Sequence, residues 1–207
     1  MERTELARLT EAVLDRLTVE LEASGRHVHL SREAVERLFG PGYRLTRQKD
    51  LSQPGQFACA ERVTLCGPTG ELNGVAVLGP ERKECQAEIS LSDGVKLGVR
   101  PPVRLSGDTA GTPGFGLRYG NRELRLSHGL IAAKRHIHMT PEDALRFHVK
   151  DGETVRLRTL TERPLVFEGV TVRVSPSFAF YAHLDYDEAN ACGLQKGGRG
   201  LILPAGR

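Results

Sequence analysis

Two short stretches carry the residue types best suited to chemistry. They are Arg26-His27-Val28-His29-Leu30-Ser31 and Arg135-His136-Ile137-His138-Met139-Thr140. Each sets two histidines two residues apart among aliphatic neighbours. In an extended strand, residues i and i+2 share a face. Two imidazoles at adjacent steps of the pleat can grip one metal ion. Lone histidines are ordinarily core or surface residues with a satisfied hydrogen bond. Duplication of the pair, with matching surroundings, argues for ligation instead.

The copies lie 109 residues apart, with Leu30 on Met139, Ser31 on Thr140 and Glu33 on Glu142. Farther along, Ala87-Glu88-Ile89, Asp93 and Gly98 match Ala182-His183-Leu184, Glu188 and Gly193 at an offset of 95. Glu88 and His183 therefore fall at equivalent places. The candidate ligand sets are His27, His29 and Glu88, then His136, His138 and His183. Imidazole and carboxylate suit zinc or a similar borderline divalent ion, and three ligands leave a coordination position open for substrate. His128 and His148 lie outside the pattern. Arg82 and Lys83 precede Glu88 and can lie beside it. Arginine offers a planar fork of donors that matches phosphate or carboxylate, so an anionic oxygen substrate is expected. No GxSxG and no reactive Cys-His signature is present, which leaves metal-assisted chemistry between substrates.

The elements that must position these residues are mostly short strands. The chain has 207 residues, 39% hydrophobic and 27% charged, with 23 glycines, 11 prolines and no tryptophan. A packed core with many turns is expected. Residues 4–17 repeat Leu6, Leu9, Val13, Leu14 and Leu17 at helical spacing. That helix either packs on the body or is a detachable amphipathic segment that docks on a partner. One strand is expected over 19–30. Ser31 then caps a helix over 32–39, and Thr140-Pro141-Glu142-Asp143 starts another that runs to about Phe147. Ser106–Gly116 is a glycine-rich loop, a linker or a ligand-binding segment, without a P-loop ending.

Net charge of +3 gives no argument for nucleic acid, and no apolar run approaches membrane-helix length. The first 21 residues carry acids and no apolar core of a secretory signal. Cys59, Cys66, Cys85 and Cys192 lack CxxC spacing and read as reduced thiols of a cytoplasmic protein.

These stretches, with KDLSQPGQFA at 49–58, the segment from Arg82-Lys83 to Glu88, and SGDTAGTPG at 106–114, resemble the PduL-type phosphotransacylases, the phosphate propanoyltransferases. The resemblance runs from about residue 19 onward. It implies a mainly β fold: two closed antiparallel β-barrel domains, related by the repeat, with short capping helices. The expected organisation is an N-terminal helix at 1–18, a first barrel half at 19–115 with room for strand exchange, and a second at 116–207. The resemblance implies reversible acyl transfer between coenzyme A and phosphate at a site of two zinc ions, and a homodimer. His27, His29, Glu88, His136, His138 and His183 would be ligands, Arg82 would bind phosphate, and Lys83 would lie beside it. Relatives housed in bacterial microcompartments use the N-terminal segment for encapsulation. Members often carry Asn where this chain has Gly25. A metal-dependent thioester hydrolase and a non-enzymatic metal-binding barrel are the competing readings.

Overall fold

The structure, a computed structural model, describes residues 3–205; Met1 and Glu2 at the start of the expected 1–18 segment and several α1 side chains, Leu6 among them, lie outside it. In chain order the elements begin α1 (Arg3–Leu17), β1 (Val19–Ser24), β2 (His27–Ser31), α2 (Arg32–Phe39), β3 (Arg47–Asp50), β4 (Phe57–Cys66) and β5 (Glu71–Arg82). They continue with β6 (Gln86–Ile89), α3 (Leu91–Leu97), β7 (Val103–Arg104), β8 (Phe115–Tyr119), β9 (Arg122–Leu126), β10 (Leu130–Ala133) and β11 (His136–Met139). The chain then forms α4 (Pro141–Arg146), β12 (Thr154–Leu160), β13 (Val166–Val174), β14 (Tyr181–Asp185), α5 (Tyr186–Ala191) and β15 (Arg199–Leu203). The mainly β class read from the sequence is what forms.

The chain divides into two compact units. One comprises residues up to Ala23, Arg135–Leu184 and the chain from Glu188 onward; the other is Ser24–Lys134 with Asp185–Asp187. The division differs from the halves 19–115 and 116–207. Strand β1 groups with the unit that holds β11 to β15, β8 to β10 stay with the unit that holds β2 to β7, and Asp185–Asp187, from the last residue of β14 into α5, are assigned to the latter.

The first unit is a closed barrel of six strands in the order β1-β14-β11-β13-β12-β15. Closure comes from β1 pairing antiparallel with β15, Val19 opposite Gly200. Period-2 alternation points Val19, Leu21, Ile137, Met139, Val155, Leu157, Val170 and Val172 into one apolar interior. The pairings are not all antiparallel, since β11 runs parallel to β13. On α1, Leu9, Val13, Leu14 and Leu17 are exposed, so the expected packing of this stripe on the body is not what forms among the described side chains. Arg199 ties the helix end, donating to Thr18 Oγ1 at 2.6 Å and to Asp15.

The second unit is a nine-stranded sheet, β7-β10-β6-β2-β5-β4-β8-β9 with β3 added on β4, and its ends do not meet. Only one of the two expected barrels is therefore closed. The two end strands explain it: β7 has two exposed residues, and β9 carries exposed Arg122, Glu123 and Arg125, a charged edge that discourages further pairing. Here too β2 and β5 run parallel. The core lies on the face covered by α2, around Val28, Leu30, Val35, Leu38, Leu65 and Val77.

The single strand expected over 19–30 is two strands, β1 and β2, placed in different sheets. The break falls at Gly25, where an added Cβ would sit 2.8 Å from the Tyr186 hydroxyl oxygen. A side chain there would push against the tyrosine ring, so glycine lets Tyr186 pack close to the backbone at the break.

Candidate metal centres

The first ligand group is built by register. Strands β2 and β6 pair antiparallel with His27 opposite Glu88 and His29 opposite Gln86. All three candidate ligands are at least nine-tenths buried. The His27 and His29 rings lie edge to face, 5.0 Å between centroids, and His27 Nε2 stands 3.6 Å from Glu88 Oε1. Ser31, immediately after the pair, accepts the Ala34 N–H at 3.2 Å and caps α2. The strand's exit is thereby fixed and the histidines are held on a rigid element.

The second group repeats the plan inside the barrel unit. Strands β11 and β14 pair antiparallel with His136 opposite His183 and His138 opposite Tyr181. The three rings stand 4.6–5.0 Å apart, and Phe178 packs 4.2 Å from His138. Thr140 caps α4 in a reciprocal capping box with Asp143. The arginine before each pair also repeats its role. Arg26 pairs with buried Asp93 at 2.8 Å, and Arg135 pairs with Glu188 at 2.5 Å. Asp93 and Glu188 are the positions that the offset of 95 aligned, so the repeat seen in the sequence is a repeat of structure.

In each group the three ligand atoms lie within 4.8 Å of one another, and among the described residues these are the groups with that geometry. A tetrahedral ion at 2.0–2.1 Å from nitrogen holds its ligand atoms about 3.3 Å apart, so a small contraction closes either group on an ion. The tautomer of His27 fits as well. Its Nδ1 lies 2.8 Å from the Gly25 carbonyl, which only accepts, so Nδ1 carries a proton and Nε2, which faces Glu88, is the atom that would take an ion. His29 Nδ1 is buried and makes no hydrogen bond of normal geometry, with the Leu78 backbone acting on the ring only weakly, a costly state for a polar atom that an ion would relieve. In the other group Glu22 Oε2 stands 3.5 Å from His183 Nδ1, a carboxylate placed to orient that ring.

The electrostatics run the same way. Burial pushes the His29 imidazole well below its usual range, helped by positive charge at His27 and Arg82. That keeps it neutral, as a ligand must be. Burial alone would raise the Glu88 carboxyl, but the His27 charge, its hydrogen bond and His29 outweigh it, and Glu88 stays ionised far below the usual carboxylate range. His27 differs: burial opposes its protonation, yet Glu88 outweighs burial and raises its proton affinity, so an ion at Nε2 would displace a proton there.

Arg82 closes β5 and comes to the first group: its Nη1 donates to Ser106 Oγ at 3.1 Å, and its charge is felt at both histidines. Lys83 is exposed in the turn that follows. His128 is exposed, with Nε2 3.8 Å from Glu84, and His148 sits in the left-handed backbone region at φ 55°; neither joins a ligand group. Sequence reasoning missed Gln86, although the same period of two that found the histidines places it on Glu88's face. It left Ser106-Gly107 as the start of a loop of open role, and it missed Arg173, which stands opposite His138 across β11 and β13 with its guanidinium over Phe178. The four cysteines are free thiols, with Cys59, Cys85 and Cys192 buried.

Comparison with known proteins gives one consistent result. The family model described as phosphate propanoyltransferase matches residues 20–195. The chain is 60% identical over 186 residues to the phosphate propanoyltransferase of Enterococcus faecalis, covering 90% of this chain and 88% of that protein. It is 54% identical over 198 residues to that of Listeria monocytogenes, covering 96% and 93%. With that of Thermotoga maritima it shares 53% over 175 residues, covering 84% and 83%.

Proposed function

The chain belongs to the phosphate propanoyltransferase family, acyltransferases, and from that premise we propose that it transfers a short acyl group reversibly between coenzyme A and phosphate. The observation that carries the reading is the pair of register-matched ligand groups, with Arg82 beside the first of them. His27, His29 and Glu88 would hold one zinc ion, and His136, His138 and His183 a second. When bound, zinc supplies Lewis acidity for a thioester carbonyl and a soft partner for a departing thiolate.

The rest is the work of this chain's side chains. Arg82, steadied by Ser106, grips two phosphate oxygens with its fork and aims a third at the thioester carbon. Phosphate is already anionic, so placement matters more than deprotonation. A carbon–oxygen bond forms, the carbon–sulfur bond breaks, and coenzyme A leaves as the thiolate. The reverse reaction uses the same contacts. A covalent enzyme intermediate finds little support: Cys59 is buried, and burial pushes its thiol up to about 11. The same reading gives α1 a role in docking on a partner such as a microcompartment shell, because its apolar stripe is exposed.

The test is a panel of short acyl-CoA esters assayed with and without phosphate, with metal analysis of the same sample. Phosphate-dependent thiol release with close to two zinc ions per chain is the expected result. Release at the same rate without phosphate would make the protein a thioester hydrolase and overturn the proposal.

A further inference from the structure

The glycine-rich segment that begins at Ser106 is tied into the first ligand group by a closed set of hydrogen bonds. Gln86 Nε2 donates to Glu88 Oε1 at 2.6 Å and to Ser106 Oγ at 3.0 Å. The Gly107 N–H donates to Gln86 Oε1 at 2.8 Å. Arg82 Nη1 donates to the same Ser106 oxygen at 3.1 Å. Gln86 is 3% exposed and Glu88 6%, so water does not compete at the centre of this set.

Donor and acceptor counting fixes every orientation. A backbone N–H only donates, so the oxygen of the Gln86 amide must face Gly107 and its NH2 must face Glu88. Ser106 Oγ accepts from both Arg82 and Gln86, which occupies its two lone pairs. Its own proton is then left to point toward the Glu88 carboxylate, which Ser106 helps to keep ionised. Glu88 thus receives the Gln86 donor, which leaves it charged and pointed, and the Ser106 hydroxyl that anchors that amide also holds the guanidinium of Arg82. Gly107 is at φ 96°, in the region that favours glycine, which turns its N–H inward.

We infer that Gln86 and Ser106 are positioning residues that couple the metal ligand Glu88 to the anion-binding Arg82, with the 106–107 turn as the clamp that sets both. This deepens the proposed function and rests on it. Partners of metal-bound carboxylates usually affect metal affinity by roughly tenfold to a hundredfold when removed. Ser106 should do this and also shift the affinity for phosphate, because a single oxygen holds both Arg82 and the Gln86 amide that anchors Glu88.

The test uses the full chain stripped of metal and titrated with zinc against a chromophoric chelator. The Michaelis constants for phosphate and acyl-CoA are measured on the reloaded protein. The variants are Ser106→Ala, Ser106→Thr and Gln86→Leu, each checked for parental thermal unfolding. Ser106→Ala should weaken one of two zinc equivalents by roughly tenfold to a hundredfold and raise the phosphate constant more than the acyl-CoA constant. Ser106→Thr, which keeps the hydroxyl, should restore both values. Gln86→Leu should weaken the same single equivalent. If the parent binds two equivalents and Ser106→Ala leaves both the zinc affinity and the ratio of constants unchanged, this inference is overturned and the proposed function stands. Weakened zinc with an unchanged phosphate constant overturns the coupling to Arg82. A parent that takes up no zinc overturns both readings.

Discussion

Glu88→Gln isolates the one anionic ligand with almost no change in size. The carboxylate is 6% exposed, its Oε1 receives the Gln86 N–H at 2.6 Å, and His27 Nε2 stands 3.6 Å away. An amide keeps one oxygen, which the Gln86 donor will claim. Its NH2 then points at the space an ion needs, so the group falls from three ligands to two. Apparent zinc binding by four-ligand sites amounts to about 10–16 kcal/mol, or about 3 kcal/mol per ligand. Loss of one ligand should therefore weaken that group roughly a hundredfold or more. The assay is chelator competition on the full chain. Two tight equivalents in the parent should become one, with far-UV circular dichroism unchanged and the His136, His138 and His183 group retained. Two undiminished equivalents in this variant would refute the ligand assignment.

Three further outcomes follow from the same structure. Arg82→Ala removes a charged hydrogen-bond donor of about 1.5–3 kcal/mol and should raise the phosphate Michaelis constant about tenfold to a hundredfold, with a smaller effect on acyl-CoA; equal effects would count against its role. Asp187 accepts the Ser92 N–H at 2.9 Å at the start of α3; burial opposes its ionisation, but the Ser92 and Ser90 donors outweigh burial and lower its pKa. Its contribution is thus present above the unfolded carboxyl value and fades as pH falls through the folded one, so Asp187→Asn should cost about 1 kcal/mol in urea unfolding at pH 7 and progressively less as pH is lowered below the unfolded carboxyl value. Ile137, between the two barrel histidines and 0% exposed, should cost about 2–5 kcal/mol when replaced by Ala, measured by the same unfolding curves.

The sequence showed most clearly what repeats and what alternates. Both histidine pairs and the caps at Ser31 and Thr140 follow from local periodicity and capping chemistry, and Glu88 and His183 from the internal repeat; the register that sets them opposite His27 and His136 is long-range pairing. Other elements carry no such signal. Strand β3, Arg47–Asp50, is polar and exposed throughout, so it shows no alternation. Helix α3 has glycine in its interior because an added Cβ on Gly94 would meet Pro101 Cδ at 2.6 Å, a contact that no local pattern reveals. The strand-like stretch 123–133 is broken at Gly129, where φ is 111° and an added Cβ would lie 2.6 Å from the Cys85 carbonyl oxygen. Long-range pairing also decided that β1 belongs with the barrel. The Gln86 and Ser106 contacts lay beyond reach because they join positions 20 residues apart through a loop whose glycines point nowhere in particular.

The pairing of β1 with β15 sets an order of assembly during synthesis. The ribosome makes Val19 well before its neighbour Gly200, so the barrel's seam stays open while the strands between them emerge. The nine-stranded sheet needs only residues up to Lys134 and the three from Asp185, and most of it is free to consolidate during that wait. A nascent chain halted before Arg199 would hold a waiting β1 edge, a target for chaperones and for premature pairing between neighbouring nascent chains.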